Sequence, residues 1–271
     1  MVMRFGYKLI ALSLMFSAPA IADTEINMTT RDADGGIAGY TKIYISDGRV
    51  RMDRIRGGME TDVSLIVADG VLTILRHKEQ SFVVFDDELY AAVESRRKAT
   101  VERIERRVGS LPEDQQAAER KKLQLQWLGS EPGVTDASTE RSLQPTGVEN
   151  WDSQPCSRFA VMRGEEMVRE VCVVPFHAVI ESEDIVTVLR GLADVLNRSA
   201  ELMEVSANRY AYVQSIALVN EFDGFPVIAR EVIRRRVVSE TELGWMTETY
   251  VDPEMFAVPE GYSEIKAVRS R

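Results

Sequence analysis

The stretch YTKIYISDGRVRMDRI, residues 40–55, decides the fold class of this chain. Apolar and polar residues alternate along Tyr40–Ile45 and again along Arg49–Ile55, with an Asp-Gly pair between the two runs. A period of two residues is typical of strands with one buried face, and Asp-Gly favours a tight hairpin turn. Val50 and Met52 fall on the same face of the second strand. The stretch therefore predicts two antiparallel strands that bury one side.

The same pattern continues toward the C-terminus. Ser64–Ala68 and Val71–Leu75 flank a second Asp-Gly pair, and Ser81–Phe85 follows a polar turn. Four or five antiparallel strands are thus expected in succession. Leu72 and Ile74 share one face of their strand, and that face must bury against another part of the molecule.

A charged helical insert is expected next, over residues 88–128. Residues 88–108 have a broken apolar stripe, and Ser110–Glu113 has the sequence of a capping box that would open a second helix. Mixed charge on weakly amphipathic helices is typical of a solvated face, although a mobile arm over a cavity or a partner is the alternative. Residues 129–150, rich in Gly, Pro, Ser and Thr, predict a linker loop.

The N-terminus has the three parts of a cleavable secretory signal. Arg4 and Lys8 precede a short apolar run, and Ala20 and Ala22 supply the small side chains that a signal peptidase accepts before Asp23. The apolar run is shorter than the roughly 20 residues that span a bilayer. We therefore expect residues 1–22 to be removed and the remainder to be exported to the periplasm without a transmembrane segment.

Net charge argues against two classes of partner. Removal of residues 1–22 takes away two basic residues and no acidic one, so the formal net charge falls from −10 to −12. A field of that sign argues against nucleic acid and against anionic membrane surfaces as partners. The remaining residues, 23–271, are expected to form a single domain.

The two cysteines are expected to form a disulfide, because export places them in an oxidising compartment. Strand patterns flank the segment Arg163–Glu165. If that segment is a three-residue turn, Cys156 faces Cys172 directly and Arg158 faces Glu170. A cross-strand charge pair and a disulfide would then agree with one register.

The strongest amphipathic helix pattern lies between Ser182, its expected cap, and Met203. Apolar residues recur there at helical spacing, among them Leu189 and Leu192. The helix would lie across the sheet or form a lid over a ligand cavity, since both arrangements need the same stripe. Strand patterns then return over residues 212–219, 225–235 and 242–251.

No residue set has the spacing of a known catalytic or metal centre. The only histidines are His77 and His177, and His77 is interpreted as a solvated turn residue between two basic neighbours. Ser95–Lys98 matches the S-x-x-K pattern of serine β-lactamases but lacks its companion motifs. We therefore expect no catalytic residue, no metal ligand and no cofactor, and a chain that is not an enzyme.

Several segments together resemble a domain of the lipoprotein-localisation-factor-like superfamily, and more narrowly an uncharacterised family of exported bacterial proteins within it. In chain order they are Lys42–Asp53, Leu65–Leu75, Phe82–Phe85, Leu111–Gln115, Gly147–Val173 and Phe256–Tyr262. Their order and spacing extend over nearly all of the chain after the signal. The resemblance implies an α+β fold, mainly antiparallel β, in which helices cover a curved, incomplete β-barrel.

The resemblance also implies a function. In the characterised carriers the cavity holds acyl chains of lipoproteins, and an arginine that matches Arg51 helps to hold a helical lid closed. This chain departs from them, because it lacks their Arg-Pro before that strand and its helical insert is larger. The implied cavity and lid residues are Arg51, Val50, Met52, Leu72, Ile74, Leu189 and Leu192, with a lipid or lipoprotein as ligand. The alternative is an interaction or structural module whose half-barrel is filled by side chains.

Overall fold

The computed structural model describes residues 23–57, 60–128, 141–203 and 211–266. The predicted signal peptide and its cleavage site at Ala20 and Ala22 therefore lie outside the described residues. The strands are β1 (Thr24–Asp32), β2 (Ile37–Ser46), β3 (Arg49–Arg56), β4 (Glu60–Ala68), β5 (Val71–Arg76), β6 (Ser81–Phe85), β7 (Arg141–Trp151), β8 (Gln154–Arg163), β9 (Glu166–Val174), β10 (Phe225–Ile233), β11 (Arg236–Glu248) and β12 (Ser263–Glu264). The helices are α1 (Asp87–Gly109), α2 (Glu113–Leu128), α3 (Glu183–Met203), α4 (Ala211–Ile216) and α5 (Val219–Phe222), with 3₁₀ turns at Phe176–Ala178 and Pro253–Phe256.

In the described part of the chain, all twelve strands belong to one open, curved sheet. Their order is β12-β6-β5-β4-β3-β2-β1-β11-β10-β9-β8-β7, and every neighbouring pair is antiparallel except β12 with β6. The pairing of β1 with β11 joins the N-terminal meander to the C-terminal strands. Because β12 and β7 remain edges, the sheet is not closed. The predicted architecture, a mainly antiparallel and incomplete barrel with helices, is confirmed.

Curvature is strong at the β7 end of the sheet. Glu149 in β7 and Arg230 in β10 are three strands apart, which would separate their backbones by about 14 Å in a flat sheet. Their side chains nevertheless meet at 2.6 Å between Nη2 and Oε1. The β7–β8 hairpin therefore curls over the outer face of β10.

The main core lies between one face of the sheet and α3. Side chains alternate along the strands, so that Ile26, Ile43 and Met52 are each at most 1% exposed. Leu189 and Leu192 of α3 close this core from the helix side. Complete burial of one such side chain contributes roughly 1.5–3 kcal/mol, so each of these contacts stabilises the packing of α3 on the sheet.

The helical insert has its own small core, formed by Ile104, Val108 and Leu123. The predicted capping box does not form: Ser110 is the C-cap of α1, and its Oγ donates to the carbonyl of Arg107. The helix it was expected to open begins only at Glu113, the first residue of α2. None of the described helices is long and apolar enough to span a membrane.

Residues 141–150 and 212–219 do not have the secondary structure that the sequence predicts. Of the linker loop expected over residues 129–150, residues 129–140 lie outside the described part of the chain. Residues 141–150 belong to β7, whose side chains are mostly exposed and whose ladder to β8 shifts register between Pro145 and Gly147. Because this strand is exposed and interrupted, its amino-acid composition resembles that of a loop, and the sequence therefore predicts a loop. Residues 212–219, expected to be a strand, form the end of α4, a two-residue turn and the start of α5, because a short apolar run has no period that distinguishes helix from strand.

The disulfide is present, but the predicted register of its strands is wrong. The β8–β9 turn has two residues rather than three, and a shift follows Val161, so that Arg158 rather than Cys156 lies opposite Cys172. Cys156 and Cys172 are bonded diagonally, with Cα atoms 5.5 Å apart. The register differs from the prediction by two residues, a displacement that keeps every side chain on its face. The predicted pair of Arg158 and Glu170 also forms, because the two side chains stay on the same face. The residues are diagonal neighbours, and Nε of Arg158 lies 3.6 Å from Oε2 of Glu170.

Candidate functional site

Six of the seven residues implied as cavity or lid residues come together in the structure. They are Val50 and Met52 of β3, Leu72 and Ile74 of β5, and Leu189 and Leu192 of α3, and all belong to one hydrophobic cluster. Ile74 is 7% exposed, and each of the other five is at most 1% exposed. A space wide enough for an acyl chain would leave the side chains around it accessible to a water-sized sphere. At these five residues, the half-barrel is occupied by side chains.

Arg51, the seventh residue, lies on the opposite face of β3 and does not hold a helical lid. Its Nη1 donates to the carbonyl of Met255 at 2.6 Å, and its Nε donates to Oδ1 of Asp53 at 2.7 Å. The strict alternation of β3 is the cause, because neighbours of Val50 and Met52 must point away from the core. Arg51 therefore anchors the C-terminal segment, residues 251–266, which we call the strap.

A partly buried polar cluster surrounds Arg51 and corrects the interpretation of His77 as a solvated residue. His77 Nε2 lies 2.6 Å from Oγ of Ser64, and its Nδ1 lies 2.8 Å from the hydroxyl of Tyr262 in the strap. Ser64 Oγ also donates to Asp53 at 2.5 Å. Burial, with a smaller contribution from the charge of Arg51, lowers the pKa of His77 below its ordinary value. The imidazole is thus kept neutral as a hydrogen-bonding link.

This cluster does not have the arrangement of a nucleophilic triad. Asp53 contacts Ser64, whereas in a triad the carboxylate orients the histidine. Ser64 is completely buried, so its hydroxyl cannot meet a substrate. The arrangement serves to attach the strap to the outer face of the sheet.

The strap also covers one edge of the sheet. The N–H groups of Ser263 and Ile265 donate to the carbonyls of Gln80 and Phe82 at 2.9 and 2.7 Å. Nearer the start of the strap, the ring of Phe256 packs against Arg49 of β3, whose guanidinium lies 4.6 Å from the ring centroid. Pairing of this kind blocks the addition of a strand from another molecule to β6.

The outer face at the other end of the sheet carries a charge cluster centred on Arg230. Its guanidinium binds both carboxylate oxygens of Glu149 at 2.6 and 2.7 Å, Glu170 at 2.9 Å and Glu240 at 2.6 Å. Hydrogen bonds from Arg230 lower the pKa of Glu149, and the three carboxylates raise the pKa of Arg230. The cluster fixes the curl of β7 against β10.

Substitution of Arg230 by glutamine should lower the free energy of unfolding by about 2 kcal/mol at neutral pH, because three half-buried carboxylates lose their cation. The pKa of Glu149 is lower in the folded state, so this contribution is present above its unfolded value near 4.5 and is lost as pH falls through the folded value. Urea denaturation at neutral and acidic pH measures both effects.

The matched control for Arg230→Gln is Arg120→Gln. Arg120 also binds a carboxylate, Glu105, through two nitrogens, but on the exposed surface of the helical insert. A much smaller loss of stability is expected for this control. If Arg230→Gln cost no more than the control, or if its cost did not shrink in acid, the cluster would not hold β7 in place.

Two surface grooves in the described part of the chain lie away from the implied lipid site. One, of about 340 Å³, is lined by Arg31, Trp151 and Glu242 among others, and one of about 290 Å³ lies between β6, α1 and the strap. None of the seven implied residues contributes to either groove.

Comparison with known proteins gives no family for this chain. No family model matches the sequence, and no curated protein matches it. An uncharacterized conserved protein from Thermus thermophilus superposes with a TM-score of 0.44 at 6% identity, over 90% of each chain. The Pseudomonas aeruginosa MucA/MucB complex has a TM-score of 0.34 at 9% identity, over 87% of this chain and 55% of that one. A structure of MucB gives 0.34 at 9% identity, over 89% and 58%.

This chain thus spans little more than half the length of the MucB-type structures. Similarity at this level assigns neither a family nor a ligand.

Proposed function

We propose that this chain is an exported protein-interaction module whose half-barrel is filled by its own side chains. The observation that carries the proposal is the burial of the residues that would line an acyl cavity, five of which are at most 1% exposed. A filled interior leaves the surface as the place where binding occurs. The disulfide between Cys156 and Cys172 supports function in an oxidising compartment.

Both edges of the sheet are protected, and this disfavours a partner that binds by adding a strand. The strap pairs with β6, and β7 contains Pro145, which has no N–H to donate, followed by a register shift at Gly147. Edges of this kind are poor templates for strand addition. A partner protein would therefore contact side chains on the faces or hairpin tips, and would not extend the sheet.

The experiment that tests the proposal is titration of the purified exported protein with a fluorescent fatty acid, with serum albumin as a positive control. A filled half-barrel should give no saturable binding. Chemical cross-linking in intact periplasm should give a discrete adduct with a second protein. Saturable binding of one fatty acid per chain would overturn the proposal in favour of a lipid carrier.

A further inference from the structure

The tip of the β10–β11 hairpin is an exposed basic and apolar surface. It comprises the five residues Ile233–Val237, with the sequence IRRRV, and all five are exposed. Ile233 and Val237, on either side of the three arginines, are 51% and 45% exposed. We call these five residues the arginine tip.

The backbone of the arginine tip is one that arginine does not favour. Arg234 and Arg235 form the two-residue turn with φ values of 51° and 63°, as a type I′ turn requires. Glycine and asparagine adopt such angles readily, whereas long side chains do so at a cost. Two other hairpins of the same sheet use Asp-Gly for this turn, at Asp47-Gly48 and Asp69-Gly70. The arginines are thus not explained by the needs of the turn.

The arginines of the tip also differ from those within the sheet. Arg51, Arg158 and Arg230 each pair with a carboxylate of the sheet. Among the described residues, Arg234, Arg235 and Arg236 make no ion pair, although acidic residues outnumber basic ones by 43 to 33 in the whole chain. Their charge is therefore available to another molecule.

A carboxylate on the adjoining strand β1 is engaged elsewhere. Asp32 lies opposite Ser239 on the ladder between β1 and β11. Its Oδ1 accepts hydrogen bonds from the N–H groups of Asp34 and Gly36, at 3.0 and 2.8 Å, within its own turn. Asp32 is therefore bound within its own turn and does not neutralise the tip.

We propose that the arginine tip binds an acidic segment of a partner protein that also carries apolar side chains. This proposal rests on the proposed function as an interaction module and names its docking surface. Guanidinium groups bind carboxylates through two hydrogen bonds, and arginine combined with apolar contact area is typical of protein interfaces. A bilayer with anionic lipids would instead repel the rest of the chain, whose net charge is strongly negative.

The test compares Arg234→Asn/Arg235→Gly with the natural chain. This double substitution installs preferred turn residues, so the melting temperature should rise while the docking charge is lost. The matched control is Arg96→Gln/Arg106→Gln, which removes the same charge from exposed positions on α1. The probe is a fluorescein-labelled peptide with the repeat Glu-Glu-Leu, and a Gln-Gln-Leu peptide is its uncharged counterpart.

Fluorescence anisotropy should show that the natural chain binds the Glu-Glu-Leu peptide at low salt and more weakly at about 0.15 M salt. Binding to Arg234→Asn/Arg235→Gly should be weaker by roughly tenfold or more. The control variant should bind as the natural chain does, and the Gln-Gln-Leu peptide should not bind.

Three results would overturn the proposal. These are equal binding of peptide by both variants, no binding by the natural chain, or tip-dependent binding to phosphatidylglycerol vesicles without binding to the peptide. A lower melting temperature of Arg234→Asn/Arg235→Gly would show that the arginines serve the fold. The fatty-acid titration is independent of the tip, so failure of the interaction-module proposal is distinguishable from failure of this one.

Discussion

Replacement of Leu189 by alanine is expected to lower the free energy of unfolding by about 3 kcal/mol. Leu189 is completely buried, and its cluster includes Met52 and Leu72 of the sheet. Removal of its side chain from a filled core loses apolar burial and leaves a cavity. Denaturation by guanidinium chloride, followed by far-ultraviolet circular dichroism, measures the change.

The control for Leu189→Ala is Val101→Ala on α1, where the side chain is 36% exposed. A change within about 0.5 kcal/mol is expected there, as is usual for surface positions. A loss below about 1 kcal/mol for Leu189→Ala would contradict a filled core. That result is expected if Leu189 faced an open ligand cavity, because the truncated side chain would then leave no new void.

Loss of the disulfide is expected to cost about 3 kcal/mol. The bond joins residues separated by 16 positions, and a cross-link over a loop of that length restricts the unfolded chain by about this amount in the chain-entropy treatment. The double substitution Cys156→Ala/Cys172→Ala, compared with the oxidised natural chain by urea denaturation, measures the cost.

Thiol titration of the purified, unreduced protein under denaturing conditions is the companion measurement for the disulfide. No free thiol is expected, since both cysteines are bonded to each other. Two free thiols per chain, or equal stability of the oxidised chain and the double variant, would contradict a structural disulfide.

The N-terminal meander was predictable because its pattern is local. Alternation in β3 and the Asp-Gly turn at Asp69-Gly70 specify strands and connections within a few residues of each other. Features that depend on contacts between distant residues were harder to predict from the sequence. The register of β8 with β9 depends on a shift after Val161, and no residue type in the sequence predicts that shift. The predicted register differs by two residues, so it still places Cys156 and Cys172 on the same face of the sheet.

The candidate site was partly predictable for the same reason. Periodicity places Val50, Leu72 and Leu189 on buried faces, but it does not tell whether those faces enclose a ligand or each other. The contact of His77 with Tyr262 is non-local, because Tyr262 lies far along the chain and reaches His77 only through the strap. Near neighbours in the sequence are basic, so a solvated turn was the natural interpretation.

The sequence does not indicate the arginine tip, because the pattern over residues 225–235 predicts one continuous strand. The turn at Arg234 and Arg235 lacks the Asn-Gly or Asp-Gly signal that predicts most two-residue hairpins. A signal was nevertheless present, since three consecutive arginines stand between Ile233 and Val237 in an acidic chain. Their conformation became evident only with the backbone angles.

The measurement that tests the central account most directly is native mass spectrometry of the protein purified from its native host, followed by extraction of any bound lipid. A half-barrel filled by its own side chains predicts one species, with the mass of the oxidised polypeptide and no extractable acyl chain. A stoichiometric adduct that releases fatty acid or lipopeptide would contradict this account and establish a ligand cavity between the sheet and α3.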